Sequence, residues 1–223
     1  MIDTSLYKCD AWRLIEAMPD KSIDHIITDP MYDGILNLGE LKRICRGNIV
    51  VFCKPENQFF KPDEYAFWLK PPSPKSNSKK LSRMVEMILI LRCGETFNGM
   101  DMHWRNRVNY WDDVLQEPQV HEFQKPMSLM ERIVRLYSNP NDLVIDPFMG
   151  SGSTIKACQN LGRHSIGCEI DEQTFKKTAQ SVIENAPNKA CSGFAGTVRV
   201  YENFSGFEFF SAPEHSLVPP ANR

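Results

Sequence analysis

Apolar residues fall along the chain in short blocks, and their spacing sorts strands from helices. SIDHIIT (22–28), NIVVFC (48–53), VEMILILR (85–92), DLVID (142–146) and HSIGCEI (164–170) are short runs rich in branched aliphatics. Such runs predict strands buried on both faces. Between them the period lengthens. LGELKRIC (38–45) predicts a short helix closed by Gly47. PMSLMERIVRLYS (126–138) places Leu129, Ile133 and Leu136 on one helix face, with Pro126 suited to the first turn. TIKACQNLG (154–162) predicts a helix ended by Gly162, and DEQTFKKTAQSVIENA (171–186) one that opens on acids, as its dipole prefers. Strands alternating with helices predict an α/β fold, a mostly parallel sheet with helices on both faces. From residue 187 to 223 the pattern fades into a tail read as irregular, in which TVRVY (197–201) and FEFF (207–210) form a candidate hairpin.

Composition narrows the class. A chain of 223 residues with 42% hydrophobic and 24% charged residues supports one sizeable core, read as a single domain over 1–223. There is no run of 18 apolar residues, so no membrane span is expected. The opening MIDTSLYKCDAWRLIEAMPD has no basic stretch leading into an apolar one, so no secretory signal is expected either. The seven cysteines form no C-x-x-C and no Cys/His pattern at zinc spacing, and His25 and His121 lack metal spacing too. Buried thiols in a reducing cytoplasm, structural histidines and no metal site are the expectation. Net charge is -2, but residues 70–107 hold eight Lys/Arg against three acids, a local +5. A basic segment on an acidic body suits a polyanion. Its core, KPPSPKSNSKK (70–80), reads as a loop.

Two stretches carry candidate chemistry. In DLVIDPFMGSGSTIKA a strand ends at Asp146, a loop holds Gly150 and Gly152, and a helix starts near Thr154. Glycines there admit positive φ and close approach of a ligand to bare backbone, and the helix N-terminus offers unpaired N–H groups. The next strand ends in Glu169, nineteen residues after Gly150, where an acid commonly takes ribose hydroxyls. No phosphate-binding G-x-x-x-x-G-K-[ST] occurs, and Ile155 stands where a dinucleotide fingerprint has its third glycine. The pattern is that of a nucleoside site. The second stretch is SIDHIITDPMYDG, where a strand runs into Asp29, Pro30 and Tyr32.

Together DPFMGSGST, the upstream DPMY and the intervening QKP resemble the amino-methyltransferases of DNA. The group resembled is the one whose DPPY-type catalytic motif precedes its cofactor motif, and the likeness runs from Tyr7 to Asn185. The resemblance implies a Rossmann-like S-adenosylmethionine-dependent methyltransferase fold, with S-adenosylmethionine as cofactor. Carried over by position, Glu169 holds the ribose and Asp10 the adenine amine of the cofactor. Asp10 also reads as a helix cap before AWRLIEAM. Asp146, Phe148, Gly150 and Gly152 shape the loop around the methionine portion, with Lys125 and Ser153 near the methionine carboxylate. The Asp29 carboxylate and the Pro30 carbonyl would accept hydrogen bonds from an exocyclic base amine, drawing its lone pair out of the ring. Tyr32 offers a face on which a flipped base stacks. Met31 stands where the family has a second proline.

An inserted target-recognition segment over about 60–118, with Lys79, Lys80, Arg83, Arg105 and Arg107, would face double-stranded DNA. His103, Trp104, Tyr110 and Trp111 add aromatics to those cations. Aspartate at the head of the motif resembles adenine-modifying members. Cytosine amines, RNA, a protein amide or a non-catalytic cofactor- or DNA-binding role are the alternatives. A recognition segment of some sixty residues is small for wrapping a duplex, an argument for a homodimer. The expected location is the cytoplasm of a prokaryotic cell or its phage.

Overall fold

The computed structural model describes residues 2–30, 36–54, 60–70, 84–101, 108–113, 124–186, 196–202 and 204. Nine strands form one sheet: β1 Ile2–Lys8, β2 His25–Thr28, β3 Asn48–Cys53, β4 Glu64–Leu69, β5 Val85–Arg92, β6 Tyr110–Trp111, β7 Leu143–Asp146, β8 His164–Glu169 and β9 Gly196–Tyr201. Their order across the sheet is β6-β4-β5-β3-β2-β7-β8-β1-β9. Only β5 runs against its neighbours, pairing antiparallel with β3 and β4. Every other pairing is parallel. The helices are α1 Ala11–Ala17, α2 Leu38–Ile44, α3 Met127–Tyr137, α4 Ser153–Leu161 and α5 Glu172–Asn185.

The apolar runs bury both faces because successive side chains alternate across the sheet. Ile26, Ile49, Val51 and Ile145 pack under α1 and α2 with Leu14, Ile15, Leu41 and Ile44. Their neighbours Ile27, Val50, Phe52 and Val144 face the other way, against Leu129, Ile133 and Leu136 of α3 and Ala157 of α4. Leu6 of β1 meets Phe175, Ala179 and Val182 of α5 on that second face. The result is a helix–sheet–helix sandwich, as the periodicity predicts. Pro126 stands as the N-cap of α3 and Gly162 closes α4 in the left-handed region.

The tail holds one described strand. TVRVY lies in β9, which pairs in parallel with β1 from Ile2↔Gly196 to Tyr7↔Tyr201. Parallel pairing with β1 extends the sheet at its edge and lets Tyr201 stack on Tyr7 at 4.7 Å. FEFF lies outside the described residues. Within the segment read as recognition insert, β4 and β5 continue the sheet, and Trp68 and Trp111 pack in its core.

Candidate active site

All the parallel strands point their carboxyl ends at one rim, and the described acids and glycine loop singled out in the sequence gather there. This is where an open α/β sheet presents ligand sites. The strand order turns around β7, which lies between β2 and β8. Asp29 follows β2, Asp146 ends β7, Glu169 ends β8 and Asp10 follows β1. Since β5 is antiparallel, its first residues, with Glu86, reach the same rim beside the end of β3.

On the β7–β8 side, Gly150 and Gly152 have φ of +46° and +75°. A Cβ at Gly150 would meet no neighbouring atom nearer than Phe148 O at 4.0 Å, so one side of the loop backbone is open. A Cβ at Gly152 would sit 2.8 Å from Thr178 Cγ2. Thr178 Oγ1 donates to Gly150 O at 2.6 Å, tying the loop to α5. Ser153 is the first residue of α4, its Oγ 3.0 Å from Ser151 Oγ. Asp146 is buried below the loop, its Oδ1 accepting from Thr28 Oγ1 at 2.7 Å and from Phe148 N at 3.2 Å. Burial pushes its carboxyl up to about 6, against the donors Thr154, Thr28 and Phe148. Asp146 thus braces the loop and joins it to the end of β2. Phe148 meets Trp12 edge-on at 6.0 Å.

Glu169 is partly exposed, with Oε1 accepting from Asp171 N at 2.8 Å. Asp171 caps α5 through Thr174 N at 2.7 Å. Asp10 caps α1: its Oδ1 accepts from Trp12 N at 2.9 Å and Arg13 N at 3.1 Å. The capping reading of Asp10 is therefore realised, on the rim where the cofactor reading also needs it. Cys9 and Cys168, beside these acids, are free thiols with sulfurs 3.3 Å apart.

On the β2–β3 side the arrangement holds something the sequence did not reveal. Lys125, just before α3 and 7% exposed, donates to Asp29 Oδ2. The same ammonium is 3.2 Å from Glu86 Oε1, and Lys70 is 2.9 Å from Glu86 Oε2. Glu86 is 2% exposed. Lys125 also lies over Phe52 at 5.0 Å and Trp68 at 5.8 Å. The resemblance puts Lys125 near a methionine carboxylate. In the structure two carboxylates of the protein itself engage it.

Asp29 Oδ1 is buried and has no hydrogen-bond partner among the described residues. Burial pushes the Asp29 carboxyl above its ordinary range, Lys125 pulls it back and Glu86 adds to the rise. Burial works to lower the Lys125 ammonium, but Asp29 and Glu86 outweigh it and hold it above its ordinary value. Neither Glu86 nor Lys70 was singled out for the site. The available signal was an acid in the second position of the mostly apolar strand VEMILILR.

Pro30 is buried behind Asp29. Met31, Tyr32, Lys79, Lys80, Arg83, His103, Trp104, Arg105, Arg107 and His121 lie outside the described residues. Trp111 is buried and Tyr110 exposed. His25 is structural, its Nδ1 accepting from Asn48 N at 3.0 Å and its Nε2 2.9 Å from Asp142. No group of side chains suited to a metal ion is present among the described residues, nor is any described helix long and apolar enough to cross a membrane.

Residues 18–181 match the family N6_N4_Mtase, described as DNA methylase. The chain belongs to this DNA methylase family. Among curated relatives, the type II methyltransferase M1.MboII of Moraxella bovis is 35% identical over 131 residues, 56% of this chain. The match spans 49% of M1.MboII, so the chain covers about half the length of that relative. M1.HpyAVI, solved as an S-adenosylmethionine (SAM) complex, superposes with a TM-score of 0.64 at 28% identity. That likeness covers 80% of this chain and 99% of M1.HpyAVI. The PvuII DNA methyltransferase, specific for cytosine N4, shares the fold at a TM-score of 0.66 and 16% identity, over 86% of this chain and 94% of its own.

Proposed function

We propose that this methylase transfers a methyl group from S-adenosylmethionine to the exocyclic amine of adenine within a specific sequence of double-stranded DNA. The observation that carries the reading is Asp29 Oδ1, a buried carboxylate oxygen with no partner among the described residues, at the end of β2 on the rim that holds the glycine loop. A buried acceptor left without a donor costs about 1–3 kcal/mol, so it is best explained by a ligand that supplies one.

The cofactor reading is supported by residues that fit such a group. The backbone at Gly150 is open on one side, α4 presents its N-terminus, and the Glu169 carboxylate stands at the end of β8. Glu169 would take the ribose hydroxyls and Asp10 the adenine edge through the oxygen its cap leaves over. Phe148 and the Gly150–Ser153 loop would border the methionine portion. Bound S-adenosylmethionine supplies an electrophilic methyl group on a sulfonium.

The chain's own residues prepare the nucleophile. An exocyclic amine is weak because its lone pair is delocalised into the ring. Asp29 Oδ1 and the Pro30 carbonyl accept from the two amine protons and turn the lone pair out of the ring plane toward the methyl group. Fixed acceptors cost no reorganisation when charge develops, which is the source of the rate. As the C–N bond forms, the methyl C–S bond breaks and the sulfonium sulfur leaves as a neutral thioether; the amine gains positive charge, and the Asp29 carboxylate would take its proton. Tyr32 stacks the extruded base. The segment at about 60–118, with Lys79, Lys80, Arg83, Arg105 and Arg107, holds the duplex.

The assay is methyl incorporation into mixed-sequence duplex DNA followed by mass spectrometry of the nucleosides. N6-methyl-2'-deoxyadenosine is the expected product, and methylated deoxycytidine would overturn the choice of base. Asp29→Ala is expected to cut transfer by about 100-fold or more, the scale for losing one preorganised polar group, while cofactor binding survives. Transfer at the wild-type rate by Asp29→Ala would show the mechanism to be wrong.

A further inference from the structure

We propose that Lys125, clamped by Glu86, is the positioning residue of the reaction: it fixes Asp29 through Oδ2 and keeps it an ionised acceptor whose Oδ1 is left for the base amine. The proposal rests on the reading of Asp29 above and assigns Lys125 to the catalytic carboxylate rather than to the cofactor. Three observations carry it. Lys125 is almost fully buried, and its ammonium is shared between Asp29 Oδ2 and Glu86 Oε1. Glu86 is itself buried, followed along β5 by five apolar residues, where a carboxylate is costly to keep without a task. The oxygen of Asp29 that Lys125 does not touch is the one without a partner among the described residues.

The geometry divides the labour between the two oxygens. A carboxylate on a short side chain can rotate about its terminal bond. With Oδ2 tied to an ammonium and that ammonium tied to a second strand, Oδ1 can face in only one direction. Glu86 serves as the anchor of the cation, and its other oxygen takes Lys70 at 2.9 Å. Lys70 directly precedes residues 71–83 of the basic segment, so the chain of charges runs from Asp29 to the edge of the proposed DNA-holding stretch.

Among the described residues, the charged and titratable groups facing Asp29 are Lys125 before α3, Glu86 on β5, Lys70 after β4, Asp146 on β7 and Cys53 on β3. Burial, Glu86 and Asp146 favour the protonated acid, while Lys125 and Lys70 favour the carboxylate. A protonated Asp29 could not accept from the amine at its acid oxygen. Lys125 therefore sets the lowest pH at which the site can work.

The test is single-turnover methyl transfer to duplex DNA as a function of pH, for wild type, Lys125→Met, Lys125→Arg and Glu86→Gln. Cofactor affinity is measured for each by calorimetry. Lys125→Met removes the opposing cation, and the acid limb of the profile is expected to move up by about 1–3 pH units. Glu86→Gln removes a like charge and keeps an acceptor for Lys125, so the limb is expected to move down. Lys125→Arg restores the position of the limb at a reduced rate, because its planar fork cannot reproduce a point charge shared by two carboxylates. Cofactor affinity is unchanged throughout.

Opposite displacements are what a purely packing role would not produce. Limbs that stay in place, or move together, overturn the proposal. Weakened cofactor binding by Lys125→Met without a displaced limb also overturns it and returns Lys125 to the methionine carboxylate. If Lys125→Met does not fold, Glu86→Gln keeps volume and hydrogen bonding and decides the matter by its direction alone. If the wild type methylates no DNA, the functional reading fails separately. The 13C titration of the Asp29 carboxyl, assigned by difference from Asp29→Asn, then tests the proposal without turnover: opposite displacements support it and a fixed midpoint overturns it.

Discussion

Glu169 and Asp171 are two acids two residues apart with different jobs. Asp171 spends an oxygen on the first turn of α5, whereas Glu169 ends its strand on the rim and, among the described residues, takes the Asp171 N–H. Glu169→Ala is therefore expected to abolish most S-adenosylmethionine affinity in a calorimetric titration. Asp171→Ala is expected to lower the melting temperature and leave affinity near wild type. Equal losses of affinity would show that the wrong acid had been assigned to the ribose. Asp10 makes the same point from another side. The sequence offered a helix cap and a cofactor contact as alternatives for it. The structure commits Oδ1 to the cap, and a carboxylate has a second oxygen to give.

At the scale of elements, the loop between β7 and α4 separates two uses of glycine. Gly152 is left-handed and packed against Thr178, so Gly152→Ala is expected to destabilise the fold by about 1–3 kcal/mol in a denaturant melt. Gly150 is also left-handed but open on its outer side, so Gly150→Ala is expected to lose cofactor affinity disproportionately to its loss of stability. Wild-type affinity in Gly150→Ala would show that the ligand does not approach there. How legible an element was follows from how local its cause is. β3 and β5 match the apolar runs residue for residue, because burial on both faces leaves an unbroken signal. The glycine loop and the ends of β7 and β8 were legible for the same reason. β1 was not, because Asp3 and Ser5 interrupt its apolar residues. The pairing of β9 with β1 was not legible because the two strands lie some 190 residues apart. The Lys125–Asp29 pair spans 96 residues, and no spacing rule connects such positions.

For the whole molecule, the uneven charge sets how DNA is met. A body of net negative charge carrying a +5 segment should approach a duplex through that segment alone. Replacing Lys79, Lys80 and Arg83 by alanine is expected to weaken DNA binding and flatten the dependence of log K on log salt by up to about 0.9 for each phosphate no longer neutralised, with S-adenosylmethionine affinity spared. An unchanged slope would return the stretch to an ordinary solvated loop. The sheet order has a consequence of a different kind, in time. β1 pairs with β8 from Thr4↔Ser165 and with β9 from Ile2↔Gly196, so neither neighbour exists when β1 leaves the ribosome. At 5–20 residues per second it waits roughly 10–30 s before β8 is made. Asp10 and Glu169, at the ends of those two strands, meet only when that wait is over. A nascent chain can therefore carry the whole DPMY motif and the basic segment while having no place to hold its methyl donor.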